Sequence, residues 1–167
     1  MKRKLKILVL FLLVLTIPYS CDDFLDVKPR GALTDYSFPA TKDGAEQLLI
    51  GAYSLLDGYT NFGAHTVSAT NWVYGSIPGG DAHKGSENSD QPPITEIETY
   101  KTLATNYYLD FRWRLIYEGV SRANGVLRLL KKVTDATSAD TTRIGAEARA
   151  LRGIYHLEAK RLWNRVP

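Results

Sequence analysis

The chain has 167 residues and a net charge of +3, from 21 Lys and Arg side chains against 18 Asp and Glu. Four of those cations and no acid lie in residues 1–20, so residues 21–167 carry a net charge of −1. The basic character therefore belongs to the first 20 residues, and the remainder has no basic excess of the kind that binds nucleic acid.

The first 20 residues are typical of a bacterial signal peptide. Four cations precede an apolar run over residues 7–17, which is shorter than the roughly 20 residues that a membrane span needs. Ser20 then stands directly before Cys21, the only cysteine of the chain. Because a lone cysteine forms no internal disulfide, it is either a stray thiol or serves another chemistry. We predict a lipoprotein signal peptide over residues 1–20 and lipidation of the Cys21 thiol.

The first predicted helix begins near Asp43, which has the spacing of a capping box with Glu46. Gly58 follows the periodic segment, where it is expected to end the helix. The apolar residues at helical spacing are Ala45, Leu48, Leu49, Ala52, Tyr53 and Leu56.

Residues 59–98 show no sustained period and are predicted to form a long irregular loop. They are rich in Gly, Ser, Thr, Asn and Asp, and they contain the breaker Pro92-Pro93. Loops of this length are usually functional or disordered. The aromatic residues Phe62, Trp72 and Tyr74 argue against plain disorder, because disordered segments are poor in aromatics.

Two long helices are predicted in the last third of the chain. The first runs from about Tyr107 to about Lys132, and the second follows a short polar connector and a capping-box pair, Thr137 and Asp140. Amphipathic helices joined so closely are expected to pack as an antiparallel hairpin. Since one hairpin leaves an apolar face without a partner, and the chain stops directly after the helical pattern, we expect the native polypeptide to continue past Pro167.

The buried faces of these two helices are predicted from their apolar stripes, which basic residues such as Arg112 and Arg122 are expected to avoid. Small residues such as Gly119 and Gly153 are expected to allow close approach of the helices. The stripes consist of Trp113, Ile116, Tyr117, Val120, Asn124, Leu127 and Leu130 on the first helix, and Ile144, Ala148, Leu151, Tyr155, Ala159 and Leu162 on the second.

Five segments carry a resemblance to one known family, in the same order along the chain, and one of them is the loop over residues 80–85. Residues 21–29 begin C-D-D-F-L and end in Pro, like the mature start of SusD/RagB lipoproteins. Residues 113–124 resemble the W-x-x-x-Y-x-x-I-x-x-A-N segment of that family, with Val120 in place of Ile. Residues 147–157 resemble its E-A-x-x-L-R-A-x-x-Y-x-x-L helix. Residues 162–167 are similar to the segment that follows this helix in the family and ends in Val-Pro.

The resemblance implies an all-α protein of tetratricopeptide-like helical hairpins with a long irregular loop insertion, of which residues 21–167 are the N-terminal part. It also implies an outer-membrane lipoprotein, lipid-anchored and facing the exterior. Such a protein binds oligosaccharides or related nutrients and delivers them to a TonB-dependent, SusC-like transporter. The alternative is a non-catalytic helical-repeat lipoprotein that serves protein interaction or structure.

Motifs that would indicate an enzyme are missing from the sequence. The three histidines, His65, His83 and His156, do not form an H-E-x-x-H pair, and there is no G-x-S-x-G elbow or phosphate-binding Gly-rich loop. The acidic residues in the loop, among them Asp81, lack the spacing of a calcium-binding loop. We therefore predict no catalytic residue, no cofactor and no metal site.

The candidate ligand-binding residues are Asn71, Trp72, Tyr74 and Asp81. Trp72 and Tyr74 alternate, so an extended segment would place both rings on one side. Flat aromatic rings suit the apolar C–H face of a sugar, while Asn71 and Asp81 would bond its hydroxyls. The alternative interpretation is that Trp72 and Tyr74 anchor the loop to the helical core.

Overall fold

The computed structural model describes residues 38–56, 71–87 and 89–167. The predicted signal peptide, Cys21 and Gly58 lie outside these residues. Within them the chain is all-α, as predicted, and none of the helices is long and apolar enough to cross a membrane. The helices in chain order are α1 (Lys42–Tyr53), α2 (Asn71–Tyr74), α3 (Ser76–Gly79), α4 (Pro92–Glu98), α5 (Tyr107–Leu130) and α6 (Ser138–Trp163).

Helix α1 begins earlier than the capping-box pattern predicted. Thr41, in an extended conformation, is the N-cap, and its hydroxyl accepts the Gly44 N–H at 3.1 Å. Asp43 instead lies in the first turn, where its negative charge interacts favourably with the helix dipole. The helix ends at Tyr53, with Ser54 as the C-cap. Its buried face comprises Ala45, Leu48, Leu49 and Ala52 of the predicted stripe, with Gly44 beside them. Tyr53, also predicted on that face, is instead exposed and bonds the Glu147 carboxylate, and Leu56 lies past the end of the helix.

Helices α5 and α6 form the predicted antiparallel hairpin. Their facing pairs run in opposite order along the two helices, since Arg112 meets Glu158 and Asn124 meets Arg152. The capping box at the start of α6 is also confirmed, because Thr137 and Asp140 bond each other reciprocally.

Helix α1 packs across both helices of the hairpin and completes one core. The Tyr155 hydroxyl of α6 donates to the Ala52 carbonyl of α1 at 2.6 Å. At the start of α1, Lys42 pairs with the Asp140 carboxylate at 2.8 Å. The predicted stripe of α6 is confirmed, with Ile144, Ala148, Leu151, Tyr155 and Ala159 buried and Leu162 partly buried.

The buried face of α5 differs from the predicted stripe. Because α5 packs against α1, α4 and α6, its buried face is wider than one stripe and includes Leu115, Ala123 and Leu129. Arg112, which was expected to avoid the core, is only 4% exposed because its guanidinium faces the Glu158 carboxylate at 2.8 Å. Among the aromatic residues of the hairpin, Tyr155 is buried, and Trp113, Tyr117 and Trp163 are half-buried.

Residues 71–98 are more ordered than the predicted loop, since they contain three short helices. Helices of four to seven residues are too short for a 3.6-residue period to show in the sequence. Pro92-Pro93 opens α4 rather than breaking structure, because proline lacks only an N–H that a first turn leaves unpaired. Together with the start of α5, these helices bury a second, smaller cluster of Val73, Tyr74, Ile77, Ile94, Ile97 and Tyr108.

Candidate functional site

Trp72 and Tyr74 lie on the short helix α2, and their rings therefore do not share one side of an extended segment. Successive residues of a helix are rotated by about 100°, which sets these two about 200° apart around its axis. Trp72 is accordingly 41% exposed, while Tyr74 is 9% exposed and belongs to the second cluster. The structure thus gives the two candidate aromatics different surroundings.

Tyr74 ties α2 to the start of α5. Its hydroxyl donates to the Tyr108 carbonyl at 2.8 Å, and the Arg112 guanidinium carbon lies 5.2 Å from the centre of its ring. Burial raises the pKa of the Tyr74 phenol above its usual range, and the nearby Arg112 charge only partly opposes this effect. These contacts are the ones expected of an anchor, and they hold the backbone on which Trp72 stands.

Asp81 follows α3 and is exposed. Its N–H donates to the Ser76 carbonyl at 2.9 Å, which turns the chain back after the left-handed Gly80. Among the described contacts, no hydrogen bond or ring contact joins Asp81 to Trp72 or Tyr74. Asn71 begins α2, immediately before Trp72. Trp72 and Tyr74 therefore lie on α2 with Asn71 at its first position, whereas Asp81 lies two residues past the end of α3.

The loop after Asp81 is organised by a lysine. The Lys84 ammonium donates to the Glu87 carbonyl at 2.7 Å and also to the Asp90 carbonyl. His83 Nδ1 lies 2.6 Å from the Glu98 carboxylate on α4. No group of three His, Cys, Asp or Glu side chains in residues 38–56, 71–87 and 89–167 is placed to hold a metal ion.

Two exposed aromatics near the second cluster were not predicted as candidates. Tyr100 is 76% exposed, has a left-handed backbone with φ 56°, and donates its hydroxyl to the Pro78 carbonyl of α3. Tyr107 is 39% exposed at the start of α5, and its hydroxyl donates to the Gln91 side chain at 2.8 Å. The sequence signal for both was the density of aromatic residues over 100–111.

Tyr107 and Tyr108 share one acceptor. The Tyr108 hydroxyl also donates to Gln91 Oε1, at 3.0 Å, and the two ring centres are 4.9 Å apart. Burial, with the neighbouring Tyr107, raises the pKa of Tyr108 to about 12. The Tyr108 phenol therefore stays uncharged at neutral pH. A buried neutral phenol beside an exposed ring offers apolar area with a polar tip, which is the chemistry that suits a sugar.

The described helices thus define an all-α hairpin protein with the exposed ring of Trp72 on α2 and those of Tyr100 and Tyr107 after α4 and at the start of α5. The chain is similar to the SusD-like protein P38 of Formosa agariphila, with 28% identity over 168 aligned positions. The match covers 99% of this chain and 30% of that protein, so the chain spans less than a third of the relative's length. No family model matches the chain, and no solved structure matches it significantly.

Proposed function

We propose that the chain is part of a SusD-like outer-membrane lipoprotein that binds glycans or related nutrients and delivers them to a TonB-dependent, SusC-like transporter. The observation that carries this proposal is the similarity to SusD-like protein P38, which extends over 99% of the chain. In the proposal the protein binds its ligand without catalysis and needs no cofactor. It is held at the cell surface by a lipid on Cys21.

Several residues of the segments that resemble the SusD/RagB family are packing residues of the hairpin. Leu151 and Tyr155, from the segment 147–157, are buried against α1 and α5. Ala123 and Val120, from the segment 113–124, are buried on α5. The resemblance therefore supports the proposed family through its helical framework, and ligand specificity falls to the exposed residues of the short helices.

For the ligand contacts we propose Asn71, Trp72, Tyr74 and Asp81, each with its own part. Trp72 offers the exposed ring that meets a sugar face, and Tyr74 fixes α2 from the buried side. Asp81 is exposed and supplies a carboxylate acceptor, which makes stronger hydrogen bonds to hydroxyls than a neutral group. Asn71 stands next to Trp72 and supplies an amide.

The proposal is tested by purifying the protein, with a C-terminal tag, from detergent-solubilised outer membranes of its source. We expect a TonB-dependent transporter to copurify, and we expect the mature protein to bind members of an oligosaccharide array. Recovery of other proteins, with no transporter and no bound glycan, would instead support the interaction or structural lipoprotein. An untagged strain is the control for adventitious membrane proteins.

A further inference from the structure

A cleft of about 480 Å³ lies between the second half of α5 and residues 141–152 of α6. Its volume is within the range of about 300–1,000 Å³ that small-molecule sites occupy. Four of the described residues that line it are basic and none is acidic. Those basic residues are Arg128 and Lys131 from the end of α5, and Arg149 and Arg152 from α6.

Two of these cations have an ordinary structural reason for their position. Arg128 lies in the last turn of α5 and Lys131 is its C-cap, where positive charges are stabilised by the helix dipole. Arg149 and Arg152 have no such reason, because they lie in the middle of α6. The cleft therefore contains more positive charge than helix ends require.

Three of these four cations have no acidic partner among the residues that the structure describes. Lys131, Arg149 and Arg152 form no ion pair within the described part of the chain. Arg152 donates to the Asn124 amide oxygen at 3.1 Å, which holds its guanidinium against α5 without cancelling the charge. Other arginines of α5 and α6 do face a carboxylate at ion-pair distance, namely Arg112, Arg114, Arg122, Arg143 and Arg161.

Gly145 makes room for the Arg149 guanidinium. A Cβ atom at Gly145 would lie 3.0 Å from Arg149 Nη1 and 3.4 Å from a methyl group of Leu130. The guanidinium thus extends towards the start of α6 and lies beside Leu130 of α5, where it lines the cleft. Leu127 and Leu130 add an apolar wall, and Asn124 and Thr141 add neutral polar groups.

We propose that this cleft binds a saccharide unit that carries a carboxylate, sulfate or phosphate group. The arginine forks match the oxygens of such groups, since guanidinium donates paired hydrogen bonds to oxyanions. The two leucines face the C–H side of the ring, and Asn124 and Thr141 bond its hydroxyls. The choice of a saccharide as the carrier rests on the proposed function, whereas the anion preference rests on the cations of the cleft.

The test is a titration of the purified mature protein, followed by amide chemical shifts in NMR spectra. Glucose, glucuronate, glucose 6-sulfate and glucose 6-phosphate form a matched series whose members differ only at C6. We expect the acidic sugars to shift amides in residues 124–131 and 141–152, and we expect glucose to shift them weakly. The acidic sugar that binds most tightly identifies the anionic group that the cleft prefers. Inorganic sulfate and phosphate are included to separate the anion from its carrier.

Charge variants locate the binding in the cleft. Arg149→Gln and Arg152→Gln are each expected to weaken binding of the tightest acidic sugar about tenfold, because each removes hydrogen bonds to a charged group. Arg161→Gln is the matched control, since it removes one positive charge from the same helix outside the cleft. It should change the affinity less than twofold. Circular dichroism of each variant checks the helical content.

Equal binding of glucose and the acidic sugars would overturn the inference, and so would equal weakening by Arg161→Gln and Arg149→Gln. Binding of inorganic sulfate or phosphate as tight as that of the acidic sugars would overturn the saccharide assignment. Failure here is distinct from failure of the proposed function. If a transporter copurifies but acidic sugars do not bind in the cleft, only the inference about the cleft is refuted. If acidic sugars bind in the cleft but no transporter copurifies, only the proposed role in uptake is refuted.

Discussion

At the residue scale, Gly119 of α5 leaves room for the Tyr155 ring of α6. A Cβ atom there would lie 2.6 Å from three carbons of the Tyr155 ring. That ring cannot easily move aside, because it is buried and its hydroxyl is bonded to the Ala52 carbonyl. Gly153 was expected to serve the same purpose, but it is exposed, and a Cβ atom there would meet nothing within 4 Å.

The two glycines predict opposite effects of the same substitution. Gly119→Ala should lower the free energy of unfolding by about 1–3 kcal/mol, because it overpacks the helix contact. Gly153→Ala should raise it by about 0.5–1 kcal/mol, because alanine favours an open helical position over glycine. Guanidinium denaturation followed by circular dichroism measures both. Equal effects of the two variants would contradict the close approach at Gly119.

The capping carboxylate of α6 predicts a dependence of stability on pH. Hydrogen bonds from Lys42 and then from Thr137 lower the pKa of Asp140 from its ordinary value of 3.8 to about 2. Between these values the unfolded chain binds more protons than the folded chain, so stability falls as the pH falls. In Asp140→Asn the decline between about pH 4 and pH 2 should be shallower than in the wild type. Identical slopes, measured by urea denaturation at each pH, would rule out this contribution.

At the element scale, the short helices depend on tertiary contacts. A helix of four residues is not stable alone, because the cost of nucleation exceeds the gain from so few hydrogen bonds. Asn106 joins α4 to α5, since its amide donates to the Pro93 carbonyl at 2.9 Å and to the Glu96 carboxylate at 2.8 Å. Tyr74 joins α2 to α5 through the Tyr108 carbonyl. These links stabilise the segment that carries Trp72.

Removing the Tyr74 hydroxyl should loosen that segment alone. Tyr74→Phe is expected to lower the free energy of unfolding by about 0.5–1.5 kcal/mol, the usual net value of one hydrogen bond. Amides of α2 and α3 should exchange with solvent faster, while those of α1 keep their rates. Tyr53→Phe is the matched control, because it removes an exposed hydroxyl bonded to Glu147. Its effect should be within about 0.5 kcal/mol. Unchanged exchange in Tyr74→Phe would show that the hydroxyl does not hold α2.

The sequence predicts long elements well here because their signals are local. The 3.6-residue period of α6 and the Thr137–Asp140 capping pair each depend on residues close together in the sequence. Both predictions agree with the structure. The burial of Arg112 was not predictable in this way, because it depends on Glu158, 46 positions away, and on the Tyr74 ring. The same holds for Tyr74, whose partner lies 34 positions away. The candidate site residues could therefore be proposed from their residue types, whereas their burial and contacts could be known only from the folded structure.

At the scale of the whole molecule, α1 covers one side of the hairpin and leaves part of α6 exposed. Ile154 is 43% and Leu157 is 57% exposed on that helix. The proposed lipid and ligand sites lie elsewhere in the chain, since Cys21 precedes α1 and Trp72 belongs to α2. Anchoring and ligand binding are therefore expected to respond to different substitutions.

Lipidation is expected at Cys21, the one cysteine of these 167 residues, because it directly follows the predicted signal peptide. Cells grown with labelled palmitate should incorporate the label into the wild-type protein and not into Cys21→Ala. The variant should also leave the membrane fraction, since a diacyl anchor gives stable attachment where a single chain is marginal. Comparable labelling of both proteins would exclude Cys21 as the lipidated residue. Cys21→Ala should bind glycan as the wild type does.

Trp72 is expected to contribute to glycan affinity without contributing to the core. Its ring is 41% exposed on a helix that is held from the opposite side by Tyr74. Trp72→Ala should weaken binding about tenfold, or ~1.4 kcal/mol, because it removes the largest exposed apolar surface of α2.

The measurement is calorimetry with the oligosaccharide that binds the wild-type protein most tightly on an array. Tyr53→Ala is the matched control, since Tyr53 is an exposed aromatic of the same 41% exposure on α1, and it should leave the affinity unchanged. Tyr74→Ala should reduce helical content and affinity together, because it removes the buried contact that fixes α2. An unchanged affinity in Trp72→Ala would place the ligand away from α2, and a loss of helical signal in that variant would show that Trp72 is a packing residue.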